Sequence, residues 1–140
     1  MKLRTIVLSL SVLFSACAKT SGPAVEVIQA WSPLAPPGAT VIAVYADIAA
    51  HRSDTLLSVS TPLAGSAQLH SSVEEAGMMK MRPVTRLEVR QGETVHLAPG
   101  GMHLMLMDIR QPLAAGAQLP LTFHFENAGD VPVTAQVRAQ

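Results

Sequence analysis

Hydrophobic and polar positions alternate over short segments along most of the chain after its first twenty residues. Turn-forming residues recur about every ten positions, and the segments between them are rich in Val, Ile, Leu, Thr and Met, as is typical of short antiparallel strands. No segment sustains the spacing of an amphipathic helix over more than two turns. We therefore predict an all-β fold with nine strands, at 25–31, 40–48, 56–61, 67–72, 79–84, 94–97, 103–109, 119–126 and 131–137.

The connections between these strands have the composition of turns and loops. Gly, Pro, Asn, Asp and Ser cluster at 33–38, 53–54, 75–77, 99–101 and 127–130. Nothing resembles a linker or a repeat, so we expect one domain over residues 24–140. Because the chain has only one Trp, one Tyr and three Phe, a two-sheet sandwich filled mainly by aliphatic side chains is the expected closure.

The N-terminus has the pattern of a targeting segment. Lys2 and Arg4 precede an apolar stretch at 5–15, which is shorter than the roughly 20 residues needed to span a bilayer. We predict a lipoprotein-type signal peptide over 1–16, with cleavage before Cys17 and lipid attached to that cysteine. The alternative is an ordinary secretory cut after the small residues at 16–18. In both cases the protein leaves the cytoplasm.

Charge and cysteine content exclude several classes of function. With Cys17 lipidated or removed, the folded domain has no thiol, so disulfides and cysteine chemistry are excluded. After the signal peptide there are eight Lys and Arg against ten Asp and Glu, a net charge of −2. No basic stripe is present to neutralise phosphates, so we expect no nucleic-acid partner.

Methionine is concentrated in one part of the chain. Six of the seven methionines lie between residues 78 and 107. A single methionine in a strand is usually an adaptable core filler, but successive side chains of a strand point to opposite faces. In the segment 103–107 the two leucines share one face, and His103, Met105 and Met107 share the other. If the leucines are buried, the outer face presents an imidazole beside thioethers.

The same alternation sends His70 outward and puts Met79 and Met81 on one face. Cu(I) is a soft ion that favours thioether sulfur and accepts imidazole nitrogen, whereas zinc, calcium and magnesium have little use for methionine. Outside the cytoplasm, thioethers also avoid the disulfide formation that threatens cysteine ligands. Histidine and methionine together therefore predict a Cu(I) site. The sequence shows no catalytic nucleophile and no pair of carboxylates of the kind that would indicate an enzyme.

The spacing His70-x10-Met81-x21-His103-x-Met105 resembles the signature of bacterial periplasmic copper chaperones of the PCu(A)C type. Flanking segments at 35–39, 80–84 and 99–107, together with Trp31 and Tyr45, are similar to segments of that family. The similarity extends from about Glu26 to Val137.

This resemblance implies a cupredoxin-like, Ig-like β-sandwich that binds one Cu(I) ion through His70, Met81, His103 and Met105. It also implies a periplasmic carrier, not an enzyme, that delivers copper to an acceptor, such as the dinuclear copper centre of cytochrome c oxidase. Expected partners are that oxidase subunit and other copper chaperones. We expect a monomer with a membrane tether through lipidated Cys17. The alternatives are a buffer or resistance protein that sequesters copper and a metal-free adhesion module.

Some positions depart from the family pattern or have no assigned role. Ser71 follows the first histidine, where relatives often have Met or Glu, and the His- and Met-rich tail of some relatives is missing, which favours one copper ion. Glu74 and Glu75 are expected to be solvated charges in a turn. Three histidines are expected at the surface: His51, His96 and His124. Three methionines beside the motif are either spare sulfur ligands during transfer or packing residues: Met79, Met102 and Met107.

Overall fold

The computed structural model describes residues 22–139, and this part of the chain contains ten strands and no helix. The strands are β1 (Val25–Pro33), β2 (Val41–Ala50), β3 (Asp54–Ser60), β4 (Ser66–Glu75), β5 (Met78–Pro83), β6 (Leu87–Val89), β7 (Thr94–Leu97), β8 (Met102–Met107), β9 (Gln118–Phe125) and β10 (Gly129–Arg138). All nine predicted strands are present, and β6 is additional.

Two local predictions were wrong. Strand β6 is absent from the predicted strands because its three residues are too few to show alternation, although Leu87 and Val89 are buried and pair with β3. Glu74 and Glu75 belong to the end of β4 and not to a turn. The β4–β5 loop has only two central residues, Ala76 and Gly77, so β4 continues further than expected.

The strands form a continuous hydrogen-bonded sheet in the order β5-β4-β8-β2-β1-β10-β9-β3-β6, with β7 also paired to β2. Strand β2 connects two halves of this sheet, one that begins with β8 and continues to β4 and β5, and one that contains the other strands. Its residues 41–44 pair with β8, and its residues 46–49 pair with β7. Strands β1 and β10 are parallel, and the other pairs are antiparallel. Strand β5 is therefore an edge strand beside β4.

The core lies between the two halves of the sheet, which confirms the sandwich. Strand β8 contributes Leu104 and Leu106, and β9 contributes Leu119 and Phe123, all of them almost fully buried in one hydrophobic cluster. Burial of each such side chain stabilises the fold by about 1.5–3 kcal/mol. Alternation along β8 is confirmed, since both leucines face this core.

Within the described residues, no helix is long and apolar enough to cross a membrane. The predicted signal peptide at 1–16 and the predicted lipidation site at Cys17 lie outside the described residues.

Candidate functional site

The pairing of β4 with β8 puts His70 directly opposite His103. Directly opposite residues of an antiparallel pair have their side chains on the same face of the sheet. The centroids of the two imidazole rings are 6.0 Å apart, and the ring planes are inclined by 67°. Because a metal–imidazole bond is about 2 Å long, as for zinc, one ion can bridge two rings at this separation.

His103 is held in one orientation by the backbone. Its Nδ1–H donates a hydrogen bond of 3.0 Å to the carbonyl oxygen of Gly101. A carbonyl can only accept, so the proton is on Nδ1 and the lone pair of Nε2 is available to a metal. The same carbonyl accepts the backbone N–H of Ser72 at 3.2 Å, which ties the start of β8 to β4.

The turn before β8 positions that carbonyl. The Gly101 N–H donates to the Ala98 carbonyl at 3.1 Å, and Gly100 has a φ of +79°. Pro99 and Gly100 at the central positions are the residues that a type II turn requires. The Pro-Gly-Gly sequence thus orients Gly101, and Gly101 fixes the tautomer of His103, a role that the residue pattern alone did not indicate.

Met105 lies on the same face as both histidines. It is opposite Gln68 on β4, two residues along that strand from His70, and it is two residues from His103 on its own strand. Such diagonal neighbours are about 7–8 Å apart between their backbones, which long side chains can span. Met105 is half-buried between β4 and β2, where it lies opposite Ala43.

Met81 shares this face but lies at its rim. It is opposite Ser72 on the edge strand β5, diagonal to His70 and on the far side of β4 from His103. Met81 is 62% exposed, whereas His103 is only 5% exposed. His103 is therefore a buried residue of this face, and Met81 is an exposed one.

His70 has a ring nitrogen whose hydrogen-bonding capacity is not used. Its Nδ1 atom is buried and has no hydrogen-bond partner within residues 22–139. An unsatisfied buried polar atom destabilises a fold by about 1–3 kcal/mol. In the same part of the chain, no three side chains of His, Cys, Asp or Glu lie close enough to hold one ion, so a metal at the two imidazoles would need ligands of another type, such as the neighbouring methionines.

The other methionines of the cluster separate into two groups. Met107 pairs with Ser66 and Met79 with Glu74, positions that share the face of the histidines. Met102 shares the face of the buried leucines of β8 and packs against the core. Packing therefore accounts for Met102.

The remaining histidines form polar pairs on other faces of the sheet. His51 and His96 are exposed, as expected, and His96 lies 2.6 Å from a carboxylate oxygen of Asp47.

His124 is half-buried and hydrogen-bonded to Ser60 at 2.8 Å and to Asp130 at 2.6 Å. The order Ser–His–Asp resembles that of a hydrolase triad, but Asp130 is 72% exposed, and such a solvated carboxylate contributes little to orienting an imidazole. We interpret it as a cross-strand polar ladder.

Asp54 is a buried carboxylate with a structural role. It accepts hydrogen bonds from the backbone N–H groups of Thr55, Asn127 and Ala128 and from the side-chain amide of Asn127. Burial by itself would raise the pKa of Asp54, but these donors outweigh it and hold the pKa below its ordinary value. The carboxylate therefore fastens the β9–β10 loop to the start of β3.

A single β-sandwich with two histidines and two methionines on one face defines a candidate soft-metal site. The chain belongs to the LpqE-like family, since the family profile described as “Putative lipoprotein LpqE-like” matches residues 25–137. The “Putative lipoprotein Lxx21020” of Leifsonia xyli subsp. xyli is 35% identical over an alignment covering 88% of this chain and 76% of that protein. “Uncharacterized protein RP573” of Rickettsia prowazekii is 30% identical, over 55% of this chain and 43% of that protein.

Solved structures confirm the fold and the resemblance to PCu(A)C-type proteins. The copper-bound PCuAC domain from PmoF2 is similar with a TM-score of 0.70 and 27% identity, over 84% of this chain and 94% of that domain. The structure of CuI-DR1885 from Deinococcus radiodurans is similar with a TM-score of 0.62 and 26% identity, over 87% of this chain and 83% of that protein.

Proposed function

We propose that this protein binds one Cu(I) ion through His70, Met81, His103 and Met105. The observation that carries the proposal is the register of β4, which puts all four side chains on one face, with the two imidazoles at its centre. Two neutral imidazoles and two thioethers form a soft ligand set, which Cu(I) prefers over hard oxygen ligands. The copper bound by the PmoF2 domain of the same fold supports this choice of metal.

The four ligands differ in how firmly the protein holds them. His103 is buried and hydrogen-bonded to a backbone carbonyl, so its ring is preorganised for binding through Nε2. Met105 is half-buried between neighbouring strands. Met81 is on the edge strand, exposed to solvent, and can move with little loss of packing. The site therefore has a fixed side and a displaceable side.

This asymmetry suits a carrier. A partner's sulfur can displace Met81 first, while the histidines still hold the ion, and the remaining ligands then exchange one at a time. Because Cu(I) stays reduced throughout, the transfer needs no electron or proton donor. We accordingly propose a copper chaperone without enzymatic activity, working outside the cytoplasm as a periplasmic protein.

We propose that the domain over residues 24–140 follows a signal peptide and is tethered to a membrane through lipidated Cys17. Two observations support a tether: the small residues before the cysteine, and the lipoprotein descriptions of the family and of the Leifsonia relative. A tether keeps the carrier close to membrane-bound acceptors. The acceptor that we propose is the dinuclear copper centre of cytochrome c oxidase.

Deletion of the gene distinguishes delivery from storage. For a chaperone, we expect oxidase activity at limiting copper to fall in the deletion strain and to recover when copper is added. Complementation with the wild-type chain should restore activity, and complementation with a Met81→Leu, Met105→Leu chain should not. Normal oxidase activity together with sensitivity to excess copper would instead indicate a sequestering protein.

A further inference from the structure

Strand β5 carries the most exposed large hydrophobic side chains of residues 22–139. Met78 and Met79 are each 61% exposed and Met81 is 62% exposed. Core packing cannot account for side chains in this position, and unbranched apolar residues along a sheet edge are an association hazard that proteins usually avoid. Exposure does not distinguish the three methionines, so the face on which each side chain lies decides which of them can reach the copper site.

The two faces of the β4–β5 hairpin differ in chemistry. The register sets Met79 opposite Glu74 and Met81 opposite Ser72, so both sulfur atoms lie on the face of His70. On the other face, Glu75 forms ion pairs with Lys80 and Arg82. Met78 shares that charged face. Only one of the two equally exposed neighbours, Met79, is therefore aligned with the copper site.

Resting on the proposed Cu(I) site, we infer that Met79 is a transfer ligand, which binds Cu(I) transiently between a partner protein and the four-residue site. Met79 and Met81 are two residues apart on one strand face, about 7 Å between backbones. Methionine has an unbranched, flexible side chain, so both sulfur atoms can reach one ion.

The transfer is a series of ligand exchanges. As Cu(I) arrives, a bond to the sulfur of Met79 forms while one bond to a donor ligand breaks, and Met81 then binds in place of a second donor ligand. His70, His103 and Met105 next replace Met79 and the last donor ligand. The copper remains Cu(I), both thioethers remain neutral, and no electron is transferred. Release to an acceptor begins when the acceptor's sulfur displaces Met81, and Met79 then binds the ion transiently while His70, His103 and Met105 are replaced one at a time.

Met79→Leu, with Met78→Leu as the matched control, tests this inference. Both changes conserve volume and lie at exposed positions of one strand, so neither threatens the fold. The measurement is anaerobic stopped-flow transfer of Cu(I) from its bicinchoninate complex to the protein, followed by the loss of the complex's absorbance. We expect Met79→Leu to slow transfer by roughly fivefold or more with an unchanged equilibrium affinity, and Met78→Leu to behave as wild type.

A spectroscopic measurement identifies the contact directly. With ¹³C-labelled methionine methyl groups and less than one equivalent of Ag(I), a redox-inert substitute for Cu(I), the Met79 signal should broaden or shift while the Met78 signal does not. Equal transfer rates and unperturbed methyl signals in both positions would overturn the inference. Loss of affinity in Met79→Leu would also overturn it, because Met79 would then be a resident ligand. Failure of the wild-type protein to bind Cu(I) would contradict the proposed function itself.

Discussion

His70 and His103 lie opposite each other with ring centroids 6.0 Å apart, but their Nδ1 atoms differ: that of His103 donates to the Gly101 carbonyl, and that of His70 has no partner within residues 22–139. One imidazole is therefore fixed before any metal binds. The other has a buried nitrogen whose hydrogen-bonding potential is unmet. A ligand set built on this pair needs little rearrangement on the His103 side.

The His103 tautomer can be observed directly. We expect ¹⁵N spectra of the metal-free protein to show a protonated Nδ1 and an unprotonated Nε2 on His103, because a carbonyl can only accept. Addition of Cu(I) under anaerobic conditions should shift the Nε2 resonance most. A protonated Nε2 in the metal-free protein, or coordination through Nδ1, would contradict the role assigned to the Gly101 carbonyl.

The turn before β8 should contribute to both stability and binding. An alanine at position 100 would have to adopt a φ of +79°, which costs about 1–2 kcal/mol for residues with a Cβ atom. We expect Gly100→Ala to lower the free energy of unfolding by about that amount and to weaken Cu(I) binding by displacing the Gly101 carbonyl. Urea denaturation and chelator competition measure the two effects.

Gly101→Ala is the matched control for the turn. A Cβ atom at this position would have the Ala98 carbonyl oxygen as its neighbour at 3.6 Å, an ordinary contact. The free energy of unfolding should change by no more than about 0.5 kcal/mol, as is usual for substitutions that disturb no core packing, cap or hydrogen bond. Equal destabilisation by the two variants would show that the turn conformation is not what matters.

The β4–β5 hairpin contains a residue that is poorly suited to its conformation. Ala76 has a φ of +52° and precedes Gly77 with a φ of +77°, the pattern of a type I′ turn, in which Asn-Gly is strongly preferred. Ala76→Asn should therefore raise the free energy of unfolding, by about 0.5–1 kcal/mol, since Asn tolerates the left-handed region. Thermal and urea denaturation check this, and a lower stability would contradict it.

Asp54 should make stability depend on pH in a defined direction. Its pKa is lower in the folded protein than in the unfolded chain, so the carboxylate stabilises the fold above the unfolded-state pKa of about 3.9. That stabilisation is lost as the pH falls through the folded-state value. Asp54→Asn removes hydrogen bonds to a charged acceptor, so we expect a loss of roughly 1.5–3 kcal/mol at neutral pH and a weaker pH dependence below pH 4.

The control for Asp54 is Glu88→Gln, at an exposed position of β6 opposite Thr55. Urea denaturation at several pH values should give wild-type stability for this variant across the whole range. If Asp54→Asn retained the wild-type acid dependence, the loop contacts of Asp54 would not be the source of the effect.

Sequence alternation predicted which faces the side chains of β4 and β8 occupy, because a two-residue period is a local property of a strand. Leu104 and Leu106 are buried on one face of β8 and Met105 lies on the other face, as that rule requires. Register between strands is not local. The alignment of His70 with His103, and the diagonal positions of the two methionines, depend on pairing that the chain reveals only when folded.

Exposure could not be predicted for similar reasons. Met79 lies two residues from Met81 and Met102 lies next to His103, but the sequence does not show how exposed either side chain is. The fold separates them, because β5 is the edge strand and Met102 points into the core. The burial of His103 on an outer face likewise arises from its neighbours in space. The Gly101 carbonyl is a backbone atom and has no signature beyond the turn residues around it.

The most direct test of the account is anaerobic titration of the mature domain with Cu(I) against a competing chelator. Wild type should bind one equivalent tightly, and a Met81→Leu, Met105→Leu variant should lose that binding while keeping its fold, because leucine conserves volume but has no sulfur. Met78→Leu should bind as wild type. Unchanged binding by the double variant, or no binding by wild type, would contradict the assignment of these methionines as copper ligands.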